Sequence, residues 1–198
     1  MPVTSGLPPA LRDAVLAWYD AAGRRFAIRD STDPYAILVS EVMAQQTQIG
    51  RAAEYWDRWM RRFPTLTSLA DASPADVLRE WAGLGYNRRA INLGRAARAI
   101  VAEHGGIVPD SVAALERLPG VGRYTARAVA AIGFGHPVAA VDTNVRRVLS
   151  RIVSRQGELA PRELQALADA AVPDGRARAW THAVMDVGAT FCRPRRPR

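Results

Sequence analysis

Apolar positions recur three and four residues apart in almost every segment long enough to judge, a period that predicts an almost entirely helical chain. Leu11 to Ala22 sets Val15, Leu16 and Tyr19 on one side after Pro8 and Pro9, and Gly23 ends the run. Arg24 to Pro34 is polar and turn-like. Pro34 suits the first turn of a helix continuing through Ile37, Leu38, Val42 and Met43 to Gln48. Glu41 sits within that run, Ile37 and Leu38 one turn before it and Val42 beside it. Such a carboxylate is more commonly on a solvated face. Ala52 to Phe63 carries Tyr55, Trp56, Trp59 and Met60 at helical spacing, read as core packing, and Pro64 closes it. Short helices follow at Leu66 to Ala70 and Pro74 to Trp81, with Ser73 and Asp76 at capping spacing. A glycine turn, Gly83 to Tyr86, leads into Asn87 to Glu103, whose Arg88, Arg89, Arg95 and Arg98 form either a solvated face or a phosphate-contacting edge. Pro161 to Val172 and Ala177 to Ala189 are helical around an Asp174-Gly175 turn. The run Val138 to Val141 is too brief to stand as a strand. There are no fixed-period repeats and no low-complexity linker.

The stretch from Ser111 to Ile152 is the most sharply punctuated. Val112, Leu115 and Leu118 share one helical face until Pro119 and Gly120 stop the run. Val121 plugs the turn, Gly122 lets the backbone pass close to a partner, and a second helical run, Tyr124 to Phe134, follows at once. The second helix of such a hairpin starts with N–H groups that have no intrahelical acceptor, which suits a phosphate. Eight residues after Phe134, Asp142 stands ahead of the helical VRRVLSRI. Its carboxylate there is either an N-cap or part of a site.

A chain of 198 residues forms one large or two small domains with a substantial core. It has no apolar run of about 18 residues, and its N-terminus lacks a charged-then-apolar signal pattern. The expectation is a soluble cytoplasmic protein, nucleoid-associated and without a membrane partner. The net charge of +8 and pI near 10.8 favour a polyanion such as DNA or RNA. All 27 basic residues are arginine, because the sequence has no lysine. Cys192 is the single cysteine, which excludes an internal disulfide framework.

The segment LPGVGRYTA (Leu118 to Ala126), followed by Asp142 in VDTNVRRVL, resembles the helix-hairpin-helix DNA glycosylases and, within them, the MutY-type adenine DNA glycosylases. SEVMAQQTQ (Ser40 to Gln48) and GLGYNRRAINL (Gly83 to Leu93) extend the resemblance, which runs in the expected order from about Trp18 to Cys192. Each motif is weak alone; four in order are specific. The resemblance implies an all-α, two-lobed fold. A six-helix barrel at 25–137 would hold the hairpin at 111–134, and residues 1–24 and 138–198 would form a second helical lobe. It implies a monomeric, monofunctional base excision repair enzyme on double-stranded DNA, hydrolysing the N-glycosidic bond of a flipped-out adenine opposite guanine or 8-oxoguanine. Glu41 would be the partly buried acid that protonates the base. Asp142 would stabilise the cation-like sugar, assisted by Tyr124 and Asn144. Tyr124 stands where strand-nicking relatives carry a lysine. The DNA-contacting set carried over is Gln45, Gln46, Thr47, Tyr86, Arg88, Gly120, Val121, Gly122, Arg123 and Thr125. Of these, Gln45, Gln46 and Tyr86 would fill the vacated stack.

Three features depart from the pattern. Ala27-Ile28 replaces the usual proline-tryptophan pair after the first helix, and nothing here forms the separate C-terminal domain that recognises oxidised guanine. The family's [4Fe–4S] cluster needs four cysteines, whereas Cys192 is followed by RPRRPR alone. The chain is thus either a clusterless member with an arginine tail for DNA or one truncated before the remaining ligands, and no cofactor is expected of it as it stands. A mismatch thymine or uracil glycosylase of the same fold is the alternative, disfavoured by the glutamines of QQTQ. A non-catalytic DNA-binding module has no reason to keep both Glu41 and Asp142 in register with the hairpin.

Overall fold

The computed structural model describes residues 7–153 and 159–195; the terminal amine and the last three residues of the arginine tail lie outside them. The described residues are all-α, with no strand. In chain order the helices are α1 (Pro9–Ala22), α2 (Pro34–Ala44), α3 (Ile49–Arg62), α4 (Leu66–Ala70), α5 (Pro74–Trp81), α6 (Arg88–His104), α7 (Val112–Glu116), α8 (Arg123–Phe134), α9 (Thr143–Val153), α10 (Pro161–Ala170) and α11 (Ala177–Thr190). Among the described residues no helix is long and apolar enough to cross a membrane. The backbone divides into two compact units. One is Arg25–Phe134, and the other joins Met1–Arg24 to Gly135–Arg198.

The unit of residues 25–134 is built on an aromatic centre. Trp59 is fully buried and meets Phe63 and Trp81 edge-on, with centroids 4.9 and 5.5 Å apart. The Tyr35 hydroxyl donates to the Phe63 carbonyl at 2.9 Å and the Trp56 indole N–H to the Ala36 carbonyl at 2.9 Å, tying α2 to α3. Tyr55 differs from its reading as core: it is half-buried, with Arg51 and Arg58 guanidinium groups 5.8 and 4.7 Å from its ring centre. Small residues let α8 lie close on α2. Ala126, Ala128, Ala130 and Ala131 are buried, and a Cβ built on Gly133 would sit 3.5 Å from Ile37. Helix starts are capped as the sequence spacing suggests: Ser73 accepts from the Asp76 N–H, and Thr65 with Ser68 forms a reciprocal box.

Two boundaries differ from expectation. The polar segment after α1 holds a turn of 3₁₀ helix, Ala27–Arg29, which buries Ile28. The helix expected to reach Gln48 ends at Ala44, because Gln45 leaves the helical region and Gln46 takes a left-handed φ of 54°. Periodicity carries no information about that turn, since it records which face is apolar and not where the backbone leaves the helix.

In the other unit, chain ends far apart in sequence meet. Asp186 of α11 is fully buried, and Arg24, which follows α1, donates to it from its backbone N–H at 2.9 Å and from Nε at 2.7 Å. Trp18 and Phe191 pack edge-on at 5.1 Å. Gly188 lets α11 approach α9, for a Cβ there would lie 2.6 Å from the Asn144 Cβ.

Candidate active site

The hairpin is in place. Ser111 caps α7 by accepting from the Ala114 N–H, and the chain turns through Leu118 to Val121, whose N–H donates to the Leu118 carbonyl at 3.1 Å. Gly120 has φ 79°, and a Cβ on it would strike the Asn92 Cβ at 2.5 Å, so both backbone and space demand glycine. Val121 is 5 % exposed and plugs the turn, while Gly122 and Arg123 are exposed at the start of α8. No heavy atom lies within 4 Å of a Cβ built on Gly122.

From the second residue of α8, the Tyr124 hydroxyl donates to Glu41 Oε2 at 3.1 Å. This brings a hairpin residue to the half-buried carboxylate of α2, two residues that stand 83 positions apart in the chain. Glu41 is thus not a solvated surface acid. The next residue, Thr125, is 2 % exposed, and its hydroxyl accepts from the Gln45 side-chain amide at 3.0 Å. Both side chains of that pair are turned to the protein rather than outward. Gln46 and Tyr86 are exposed, Tyr86 to 65 %. Arg88 is exposed and Thr47 half-buried. A cavity of about 370 Å³ opens between these turns and the hairpin, with Gln46, Tyr86, Arg88, Asn92 and Val121 among its walls.

Asp142 lies in the other unit, half-buried at the start of α9. It does cap the helix: Oδ1 accepts from the Val145 N–H at 2.7 Å. The other oxygen accepts from Asn144 Nδ2 at 2.9 Å. Arg147 in turn donates from Nη2 to Asn144 Oδ1 at 2.8 Å and to the Gly188 carbonyl at 2.7 Å, and its Nε donates to the Cys192 carbonyl. A guanidinium has only donors, so it fixes which end of the Asn144 amide faces Asp142. The carboxylate is held rigidly by two N–H donors. Asn144 thus orients the acid, and Arg147, which the motifs did not single out, orients Asn144. Its signal was the third position after Asn144 on one helix face, which only an acceptor on α11 makes meaningful.

Arg89 is the other residue that sequence reasoning placed differently. It is no phosphate-contacting edge: its guanidinium turns inward onto main-chain carbonyls, and burial pulls its pKa down.

Cys192 is half-buried, and Arg151 Nη1 lies 3.3 Å from its sulfur. Among the described residues no group of three or more His, Cys, Asp or Glu side chains is placed to hold a metal. A single thiolate does not hold a cubane that takes four, so the residues of this chain do not fit such a cluster, and the chemistry below uses none.

The all-helical fold, the glycine hairpin and the carboxylate-capped α9 define a class, and comparison agrees with it. Residues 39–173 match the family described as HhH-GPD superfamily base excision DNA repair protein, and the chain belongs to that family. It is 43 % identical to an adenine DNA glycosylase of Mycolicibacterium smegmatis over 93 % of this chain and 64 % of that one. It is 42 % identical to the human adenine DNA glycosylase over 95 % of this chain and 37 % of that one. The chain therefore spans less than two thirds of the length of these relatives. A solved thermostable thymine-DNA glycosylase superposes with a TM-score of 0.88 at 30 % identity, covering 95 % of this chain and 88 % of that one.

Proposed function

We propose that this chain is a monofunctional DNA N-glycosylase of base excision repair that releases adenine mispaired with guanine or 8-oxoguanine in double-stranded DNA. The observation that carries the reading is the hydrogen bond from Tyr124 to Glu41, which ties a residue of the DNA-facing hairpin to a half-buried acid. In the proposed reaction the protonated Glu41 gives its proton to a ring nitrogen of the extruded adenine. The C1′–N9 bond then breaks, its electron pair leaving with the base. Asp142, acting on the same nucleotide, meets the positive charge on the sugar. Water adds to C1′ and passes a proton to the carboxylate left on Glu41. The role of Tyr124 is to hold Glu41 through the hydroxyl it donates. Lyase chemistry needs an amine that condenses with the sugar; Tyr124 occupies the hairpin position, the sequence contains no lysine, and the terminal amine of Met1 or Pro2 is the one candidate left. Arginine stays protonated and is no substitute.

Identity above 40 % to adenine glycosylases supports adenine as the target. Excision of mismatched thymine is the second reading, favoured by the close superposition on the thymine-DNA glycosylase. A base-release assay on a panel of mismatched duplexes separates them. The expected result is adenine release opposite guanine or 8-oxoguanine, an abasic strand that breaks only on alkali, and no adduct trapped by borohydride. Thymine or uracil release without adenine release replaces the first reading by the second, and efficient trapping overturns the monofunctional assignment.

A further inference from the structure

Gln46 and Tyr86 are the only non-glycine residues with positive φ among the described residues, at 54° and 50°. They lie 40 positions apart, one after α2 and one before α6, and both are exposed. A left-handed φ is unfavourable for a side chain with a Cβ, so each needs something to hold it. The same residue reaches both turns. Arg89 Nη1 donates to the Val42 and Met43 carbonyls at 3.0 Å each and to the Gln45 carbonyl, taking up acceptors that the end of α2 leaves without intrahelical partners. Nη2 donates to Thr47 Oγ1 at 3.3 Å and to the Gly85 carbonyl at 3.1 Å. The guanidinium carbon lies 5.1 Å from the Trp81 ring centre and 5.6 Å from that of Tyr86. The Trp81 indole N–H also donates to the Gly85 carbonyl at 2.9 Å, fixing the second turn from behind.

We propose that Arg89 is a positioning residue that locks the Gln46 and Tyr86 turns into one preformed wedge, and so sets how strongly this chain discriminates a mispaired site from matched duplex. The inference rests on the reading above that these exposed side chains enter the stack. A planar fork with donors at both ends is required, because the main-chain acceptors of the first turn fall to Nη1, whereas those of the second turn, together with Thr47 Oγ1, fall to Nη2. An ammonium at the end of a lysine side chain keeps the charge and loses the bridge. A preformed wedge binds an opened base pair without ordering two strained turns at that moment. Matched duplex does not admit the wedge, so its affinity does not depend on the lock.

The test compares Arg89→Lys and Arg89→Met with Tyr86→Ala and the double variant Arg89→Lys/Tyr86→Ala in the full chain. Duplexes with a non-hydrolysable adenosine analogue opposite 8-oxoguanine, and matched controls, serve as probes. Hydrogen exchange on the free proteins is expected to show both turns, 44–48 and 83–87, losing protection together in either Arg89 variant, with the rest of the chain unchanged. Arg89→Lys is expected to weaken mismatched binding tenfold or more, to leave matched binding within about twofold, and to cost clearly less in the Tyr86→Ala background, where only the Gln46 half of the wedge remains to be unlocked. Protection that persists in both variants overturns the lock. An Arg89→Lys protein that discriminates as wild type, or a loss equal on both duplexes, overturns the positioning role in favour of charge alone. Failure of the underlying function looks different: the wild type itself shows no preference for the mismatch, and the wedge role falls with it, while exchange still reads whether the turns are coupled.

Discussion

Asp142 performs two tasks with two oxygens, and this makes its substitution informative. In Asp142→Asn one oxygen still accepts from the Val145 N–H, but the new amide faces Asn144 Nδ2, which Arg147 prevents from turning over. Two donors then confront each other, at a cost of about 1 kcal/mol for the lost hydrogen bond. In the proposed reaction the larger effect is on chemistry, since the charge that would meet the sugar cation is gone. Base release under single turnover should fall by several orders of magnitude while duplex binding persists and thermal unfolding shifts only slightly. Near wild-type turnover would reduce Asp142 to a helix cap.

At the scale of elements, the hairpin separates structure from contact within three residues. Gly120→Ala meets both a positive φ and the Asn92 Cβ, so it should destabilise the fold by about 1–3 kcal/mol, read by denaturant unfolding. Gly122→Ala meets open space. It should melt like wild type and yet weaken duplex binding if, as proposed, the start of α8 receives a phosphate, because the added Cβ would crowd it. Unchanged binding would remove the hairpin from the DNA interface. The junction of α2 with α3 supplies a pH test. Tyr35 is 4 % exposed, and burial, with the Asp33 charge adding, pushes its phenol well above the usual 10.0 against the opposing effect of the Trp59 indole beside it. The folded chain keeps this proton above pH 10.0 where the unfolded chain releases it. The stabilisation is therefore complete below that pH and lost as pH rises beyond it. Tyr35→Phe should lose about 1 kcal/mol at neutral pH through the unpaired Phe63 carbonyl. Its melting temperature should then fall less steeply than wild type above pH 10.0. Parallel curves would show that the phenol is not what titrates.

At the scale of the whole molecule, the unit holding Asp142 is assembled from both ends of the chain. Arg24 and Asp186 stand 162 positions apart, and the carboxylate is fully buried while the guanidinium is 37 % exposed. Arg24→Met keeps the backbone N–H bond but removes the guanidinium from a buried carboxylate. The cost should be about 3 kcal/mol, at the lower end for a broken buried pair. For a chain of this size that is a fall of roughly 6–12 °C in melting temperature. Asp142 sits on α9, which packs on α11 through Gly188, so base release by Arg24→Met should decline with the melt and not before it. Loss of release at temperatures where the fold is intact would mean that Arg24 touches the reaction.

What the sequence by itself determined was local. Helices follow from spacings of three and four residues, the hairpin from Pro119 and Gly120, and the start of α9 from an acid ahead of an amphipathic run. The motifs in order were enough for the family and for the all-α fold, and they pointed to Glu41 and Asp142. Tertiary structure alone decided where Glu41, Gln45 and Arg89 spend their polar groups. Glu41 receives Tyr124 across 83 positions, Gln45 turns to Thr125 across 80, and Arg89 reaches the Val42 carbonyl across 47. A helical period records which face is apolar. It holds no record of which distant donor will meet the carbonyls left open where α2 ends at Ala44, and those acceptors hold Arg89 inward.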